Sequence, residues 1–464
     1  MFKPERISNT SHHIKARKLT KLDNVLLYIW SFLISLLQNL LSIFLPNSHK
    51  LKKQLKDRRL YPEKIETIKK AREKFPNCVL FFCSSAGEYE QAKPLIDRFS
   101  SLKNIYIQIL FFSNSGIKFA NARQETIPYI LTPVDTLKNC QKILSALKPH
   151  ATIIVRHELW PAFICTAWQY GKVYLINASL SESDKNKKNN KSIFIKKTLF
   201  HFIDQIYTTD RNELTKLKTQ FSLQDSKIQI AGDTKYDRVI ERTHNNFNNI
   251  EQSKKSLNSF LGPSPRLIIG SAWPADYKLV LDCYCDNLND TIRKNWNIII
   301  ALHEPSIENI KNLEAMCNNL DLKYQRFSHL FLDQSPGIEN HKNRTPIIII
   351  DSLGLLSELY GACTLAFIGG AIHHQVHNVI EPISHGLSIA FGNKYKNSNE
   401  AIELVKHGLA TVCTSSKELA TWWKLHQSSS EKNKRCLEYL DQHAGAADKI
   451  FNAIAKDIDI KLDT

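Results

Sequence analysis

The chain has 464 residues, of which 43% are hydrophobic and 23% charged, with a formal net charge of +17. These proportions exclude a disordered or fibrous chain, and the length exceeds one ordinary core, so two or three domains are expected. Ten cysteines without a CxxC pair, several inside apolar runs as Cys78 and Cys83 are, speak against a disulfide framework or a thiolate zinc site and for reduced thiols in a cytoplasmic protein.

Residues 1–60 hold twelve Lys or Arg against three acids, so +9 of the charge lies there and brackets an apolar segment, Val25 to Leu45. That segment carries no charge and is long enough to span a bilayer, although Ser31, Ser35, Gln38, Asn39 and Ser42 weaken it. It reads as a single anchor or as a helix lying in the membrane interface; a buried core helix fits poorly with cationic flanks that suit anionic headgroups. Equal basic flanks leave the positive-inside rule undecided, and the reduced cysteines favour a cytoplasmic body. Deleting residues 1–46 is expected to weaken membrane association without unfolding that body.

The stretch Val79 to Ile96, VLFFCSSAGEYEQAKPLI, follows. A continuous apolar run reads as a strand buried on both faces, Ser84 to Gly87 as a small-residue turn, and Glu88 as the start of a helix through Leu95. A carboxylate at that position either complements the helix dipole or serves a ligand at the carboxyl edge of a parallel sheet. From residue 78 to 232 apolar runs alternate with helical patterns: strands at Ile105 to Phe112, Ala151 to Val155, Lys172 to Ile176 and Ile228 to Ile230, helices at Thr136 to Leu147, Pro161 to Tyr170 and Leu214 to Phe221. Residues 241–263, polar and Asn-rich, read as a linker. The alternation restarts with strands at Leu267 to Gly270, Asn297 to Ala301, Pro346 to Ile350, Leu365 to Ile368 and Ser388 to Phe391, and helices at Ala275 to Leu288 and Ser306 to Leu320. The expected fold is α/β, with two Rossmann-like doubly wound halves (61–245 and 262–430) on either side of a cleft, after the basic segment 1–60. A helical tail, 431–464, is expected to pack back on the first half.

The densest pattern of the second half is Ala366 to Gly392. A strand ends in Gly369 and Gly370, a loop carries His373, His374 and His377, and a helix starting near Asn378 places Glu381 in its first turn. Such a turn can cradle a nucleotide phosphate on backbone N–H groups, while the Glu accepts from ribose hydroxyls. Neither GxGxxG nor GxxxxGK[ST] is present. The three histidines could instead ligate a metal, but no matching acid or thiol lies nearby. Strand-end turns at Gly270 to Trp273, Leu302 to Pro305 and Arg156 to Pro161 belong to the same sheet edges.

In content and order the series SSAGE, ELWP, NASLSES, GDTKYD, GSAW, HEP, then GG followed by HNVIEP and HGLSIAFG resembles the 3-deoxy-D-manno-octulosonic acid (Kdo) transferases of lipopolysaccharide synthesis. The likeness extends from about residue 20 to about residue 425. It implies a GT-B glycosyltransferase anchored to the inner membrane with its catalytic domains on the cytoplasmic side, CMP-Kdo as donor and the glucosamine disaccharide lipid A precursor (lipid IVA) as acceptor. It places the catalytic base on Glu88 and the donor-nucleotide site on Ser271, His303, Gly369, Gly370, Asn378 and Glu381. Three departures stand out: Phe82 where the family often has histidine, Leu302 where arginine often precedes the HP-type motif, and His373 to Val376 in place of a Gly-rich turn.

The chemistry expected is one direct, inverting displacement without metal or cofactor, in which Glu88 takes the acceptor hydroxyl's proton and backbone N–H groups receive the CMP phosphate. Ser84, Ser85, Gly87 and Glu158, with Lys185 and Lys188 of a cationic stretch, are the expected acceptor side; that stretch reads equally as a solvated Lys/Asn loop. Alternatives are another GT-B transferase or a sugar-nucleotide epimerase with a different donor, or a non-enzymatic basic protein tethered to a membrane. Nucleic acid is not an expected partner, since the charge gathers around the apolar segment and no aromatic-basic RNA motif occurs.

Overall fold

The computed structural model describes residues 17–44, 50–58, 61–180, 190–245, 247–331, 346–427 and 430–460. They form two compact units: one runs to Arg238 and resumes at Ala444, the other is Val239–His443.

The first unit is built on seven parallel strands: β1 (Asn77–Cys83), β2 (Ile105–Phe111), β3 (Tyr129–Leu131), β4 (Ala151–Val155), β5 (Lys172–Ala178), β6 (Gln205–Thr208) and β7 (Ile228–Ile230), in the order β3-β2-β1-β4-β5-β6-β7. Alternate residues of β1 enter opposite cores. Cys78, Leu80 and Phe82 pack on one face with the helices Leu137–Leu147 and Pro161–Tyr170, whereas Val79, Phe81 and Cys83 pack on the other with Ala86–Ser100 and Ala446–Asp457. Both faces being covered is why the strand is apolar throughout. Chain direction reverses between β1 and β4, which makes their carboxyl ends the topological switch point.

The apolar N-terminal segment forms the helix Lys21–Phe44. Thr20 and Asp23 start it with a reciprocal cap, each side chain accepting the other's backbone N–H at 3.1 and 2.9 Å. The helix lies against the first unit. Leu27 enters the core, Trp30 Nε1–H donates to Asp135 Oδ2 at 2.8 Å, and Ser31 Oγ accepts the N–H of Leu137, the first residue of its helix, at 2.8 Å. Removing residues 1–46, expected to leave the body folded, would strip one donor from a buried carboxylate and an acceptor from the first amide of a core helix.

The second unit repeats the plan with β8 (Arg266–Ala272), β9 (Asn297–Leu302), β10 (Tyr324–Arg326), β11 (Ile347–Ile350), β12 (Leu365–Ile368), β13 (Ser388–Phe391) and β14 (Ala410–Val412), ordered β10-β11-β9-β8-β12-β13-β14. Its switch point lies between β8 and β12. The stretch expected as a linker is helical instead, over Thr234–Asn245 and Phe247–Leu261. Ile250, Leu257 and Leu261 recur at helical spacing and are buried, which outweighs the surrounding Asn and Lys. The tail is divided: Ser430–His443 belongs to the second unit, and Ala446–Asp457 covers the sheet of the first.

Candidate functional site

At the first switch point Ser85 caps the helix Ala86–Ser100, its Oγ accepting the N–H of Glu88 at 3.3 Å. The Glu88 carboxylate turns back to accept the N–H of Ser84, whose hydroxyl in turn donates to Glu158 Oε1 at 3.4 Å. Ser84, Ser85, Glu88 and Glu158 are thus brought together from the ends of β1 and β4. A Cβ on Gly87 would meet nothing nearer than Ser85 Oγ at 3.9 Å, so the space beside this turn is open. Glu88 is 6% exposed, and its carboxyl is pushed up to about 7. Burial is the largest cause and the negative charge of Glu158 adds to it; the amides of Ser84 and Ser85 and the Arg156 guanidinium pull the other way. A carboxyl poised there is half ionised at neutral pH, which is what a general base requires.

Two residues that the sequence reading left without a role hold this helix in place. Asn177, at the end of β5 in the left-handed region (φ 50°), donates from Nδ2 to Thr234 Oγ1 at 2.6 Å and accepts the Thr234 N–H at 3.2 Å. Thr234 Oγ1 donates onward to the Gln91 carbonyl at 2.6 Å, one residue beyond the carbonyl that Pro94 leaves without its helical partner. All of this is buried: Asn177 is 1% exposed and Thr234 0%. Their signal was present in the NASLSES and GDTKYD runs, which carry the resemblance. Lys185 and Lys188, expected on the acceptor side, lie outside the described residues.

At the second switch point Ser271 (φ 53°) is the next-to-last residue of β8, and the helix Pro274–Asp286 begins three residues on. Asp276, in its first turn, accepts both the Trp273 N–H at 2.9 Å and the Gly370 N–H at 2.8 Å on Oδ2. The Gly369 N–H donates to the Gly270 carbonyl at 2.9 Å. The expectation that these two glycine amides receive a phosphate is therefore corrected: both are used within the unit. The glycines serve close approach instead, since a Cβ on Gly369 would overlap the Ser271 carbonyl and one on Gly370 (φ 91°) the Gln375 carbonyl.

His303 and His377 stack at 4.4 Å, and Trp273 packs on His303 at 4.8 Å and on His374 at 4.2 Å. Trp273 Nε1–H donates to His377 Nε2 at 3.0 Å, so that imidazole is neutral. Burial first, then His303 and His374, push it down to about 4. The three loop histidines do not converge on one point, and among the described residues no group of His, Cys, Asp or Glu is arranged to hold a metal. A cavity of about 240 Å³ opens beside Trp273, Asp276, Gly370, His373 and His374. Asp276 Oδ1 is buried there without a partner among the described residues. Asn378 Oδ1 accepts the Ile380 N–H at 3.1 Å, and the helix that follows is only Ile380–Ser384. Glu381, expected to meet ribose hydroxyls, is ion-paired with Arg242 at 3.0 Å and keeps 17% of its side chain exposed.

Residues 53–238 match the family described as 3-Deoxy-D-manno-octulosonic-acid transferase (kdotransferase). A bifunctional glycosyltransferase/methyltransferase of Fusobacterium nucleatum is 24% identical over 68% of this chain, which spans about half (47%) of that protein's length. A 3-deoxy-D-manno-octulosonic acid transferase of Chlamydia muridarum is 24% identical, the match covering 71% of this chain and 73% of the relative. Among solved structures, a UDP-GlcNAc 2-epimerase from Neisseria meningitidis bound to UDP-GlcNAc shares 14% identity over 82% of this chain and 99% of its own, with a TM-score of 0.53, a likeness of fold. The two parallel seven-stranded sheets are those of the GT-B fold class, and it is residues 53–238, the greater part of the first unit, that are similar to the Kdo transferase family.

Proposed function

We propose that the protein transfers Kdo from CMP-Kdo to a lipid A precursor by one inverting, metal-independent displacement at a membrane surface. The observation that carries this reading is Glu88: a buried carboxyl raised to about 7, at the switch point of the sheet within the family-matching region. Glu88 takes the proton of the acceptor hydroxyl as it attacks the anomeric carbon of Kdo, and CMP leaves. Ser84, Ser85, Gly87 and Glu158 border the acceptor, and Lys185 and Lys188 meet its phosphates.

Ser271, His303, Asn378 and Glu381 hold the donor, with Gly369 and Gly370 shaping the floor beneath it. Because both glycine amides are engaged, the leaving phosphate is received by the Ser271 hydroxyl and by the exposed His373 and His374 rather than by the glycine backbone. Mass spectrometry of a lipid A precursor incubated with protein and CMP-Kdo tests the reading: each Kdo added shifts the lipid by one sugar mass, and an unmodified lipid refutes it. CMP, but not UDP or GDP, is expected to raise the melting temperature. Protection by UDP alone would move the protein to a different donor.

A further inference from the structure

We infer that the helix Lys21–Phe44 does not cross the bilayer but lies in the plane of one anionic leaflet, docked along the first unit with its outer face in the lipid. The inference rests on the membrane association proposed above and not on the sugar chemistry.

Its polarity is inverted relative to a surface helix of a soluble protein. The stripe turned to the body contains Leu27, Trp30, Ser31, Ser35 and Gln38, at spacings of three, one, four and three, and none of these is exposed. The stripe turned outward contains Val25, Ile29, Phe32, Leu33, Leu36 and Leu40, between 43% and 66% exposed. Of the nineteen large apolar side chains exposed among the described residues, eleven sit on this helix. An apolar surface of this extent on a folded body marks an interaction site. Ser31, Ser35 and Gln38, which weakened a spanning segment in the sequence, face protein, where a polar side chain finds partners.

Attachment at several points along its length fixes the geometry. Arg17, just before the helix, is ion-paired with Asp204 at 2.9 Å and lies over the Trp168 ring at 5.0 Å. Trp30 and Ser31, near mid-helix, bond Asp135 and the amide of Leu137. A helix of 24 residues is about 36 Å long, so these points pin its first half along the body. Were it to span the membrane, its midpoint would carry buried Asp135 and the start of a core helix to the centre of the hydrocarbon, where a carboxylate is costly.

A second observation points to the same face. The helix Asn190–Phe200 packs on Pro161–Tyr170, as the N-terminal helix does, and exposes Phe194 (72%) and Ile195 (47%) beside Lys196 and Lys197. Exposed cations on this helix and in the chain on either side of the N-terminal one, among them Lys197, Lys18, Lys21 and Lys56, complement anionic headgroups. The occupant is thus a lipid surface rather than an acidic protein groove.

The test uses the full chain with an epitope tag before Met1, expressed in a bacterial host. In inverted inner-membrane vesicles, added protease is expected to remove the tag and digest the body from the same side, and alkaline carbonate to release the protein. A tag reached only from the periplasmic side, or a carbonate-resistant protein, overturns the in-plane geometry and leaves membrane association standing. The variant Phe32→Asp/Leu36→Asp, checked for an unchanged melting curve, is expected to bind phosphatidylglycerol vesicles at least tenfold less than the wild type, and the wild type to bind phosphatidylcholine vesicles more weakly. No affinity of the wild type for phosphatidylglycerol vesicles, or a dimer that buries the helix and ignores lipid, overturns both the geometry and the association.

Discussion

Replacing Glu88 by glutamine separates stability from chemistry. The folded carboxyl is raised from an ordinary 4.5 to about 7, so folding favours its protonated form. That contribution to stability is fully present below about pH 4.5 and is lost as pH rises through about 7. At 1.36 kcal/mol for each pH unit between the two values, ionised Glu88 costs the native state about 3 kcal/mol at pH 8. Glutamine does not titrate, keeps an oxygen for the Ser84 N–H, and removes the repulsion from Glu158. The difference in stability between Glu88→Gln and wild type is therefore expected to grow between pH 5 and pH 8 by about 2.5 kcal/mol, or roughly 5–10 °C in melting temperature for a unit of this size. Transfer is expected to fall by roughly 10²–10⁴-fold, the usual worth of a general base. Melting curves of both proteins across that pH range, with transfer assayed on the same samples, decide the matter. Melting temperatures that run parallel from pH 5 to pH 8 would refute the raised carboxyl, and substantial turnover by the glutamine variant would remove Glu88 as base.

Further outcomes follow from the same geometry. The transfer rate of the wild type should fall about tenfold for each pH unit below about 7, as Glu88 takes up its proton; a flat profile from pH 5 to 8 contradicts this. Thr234→Val leaves Asn177 Nδ2 and the Gln91 carbonyl without their partner and should cost about 1–3 kcal/mol, read as a lower urea midpoint at unchanged slope. Gly369→Ala drives a methyl into the Ser271 carbonyl and the Asp276 carboxylate, which should cost about 1–3 kcal/mol and abolish protection by CMP. Deleting residues 1–46 should lower the melting temperature of the soluble body, and an unchanged melting curve would show that the Trp30 and Ser31 bonds contribute nothing.

The long central strands were readable because burial on both faces leaves an unbroken apolar run, as in β1 and β9. β3, β6, β10 and β14 were not, since three or four residues carry little period, although the equally short β7 was read from its two isoleucines. The helix Phe247–Leu261 was hidden because few of its positions face a core. Glu88 was legible as a carboxylate at a helix start. Its raised pKa was not, because that depends first on burial and then on Glu158, which only the pairing of β1 with β4 brings near. The glycine pair signalled an anion site, and what the sequence concealed was Asp276, which reaches across from another strand end to occupy the Gly370 amide. The departures from the family pattern also gain a physical setting: Phe82 packs on Phe163 at 5.0 Å in the core, and His374 supplies a ring against Trp273.

The returning C-terminal helix has a consequence for biosynthesis. The chain leaves the first unit at Arg238 and re-enters it at Ala444, and Asp237 staples the two crossings by accepting the N–H groups of Gly445 at 2.8 Å and Ala447 at 3.2 Å. Phe451 then packs on Phe99 at 4.8 Å, and Ile450 and Ile454 close the core over Val79 and Phe81. On the ribosome the first unit's sheet must therefore wait, with one apolar face uncovered, while all of Val239–His443 is made. The second unit emerges whole and can fold first, and a nascent chain halted before Ala446 carries an unfinished first domain that is open to chaperone capture and proteolysis.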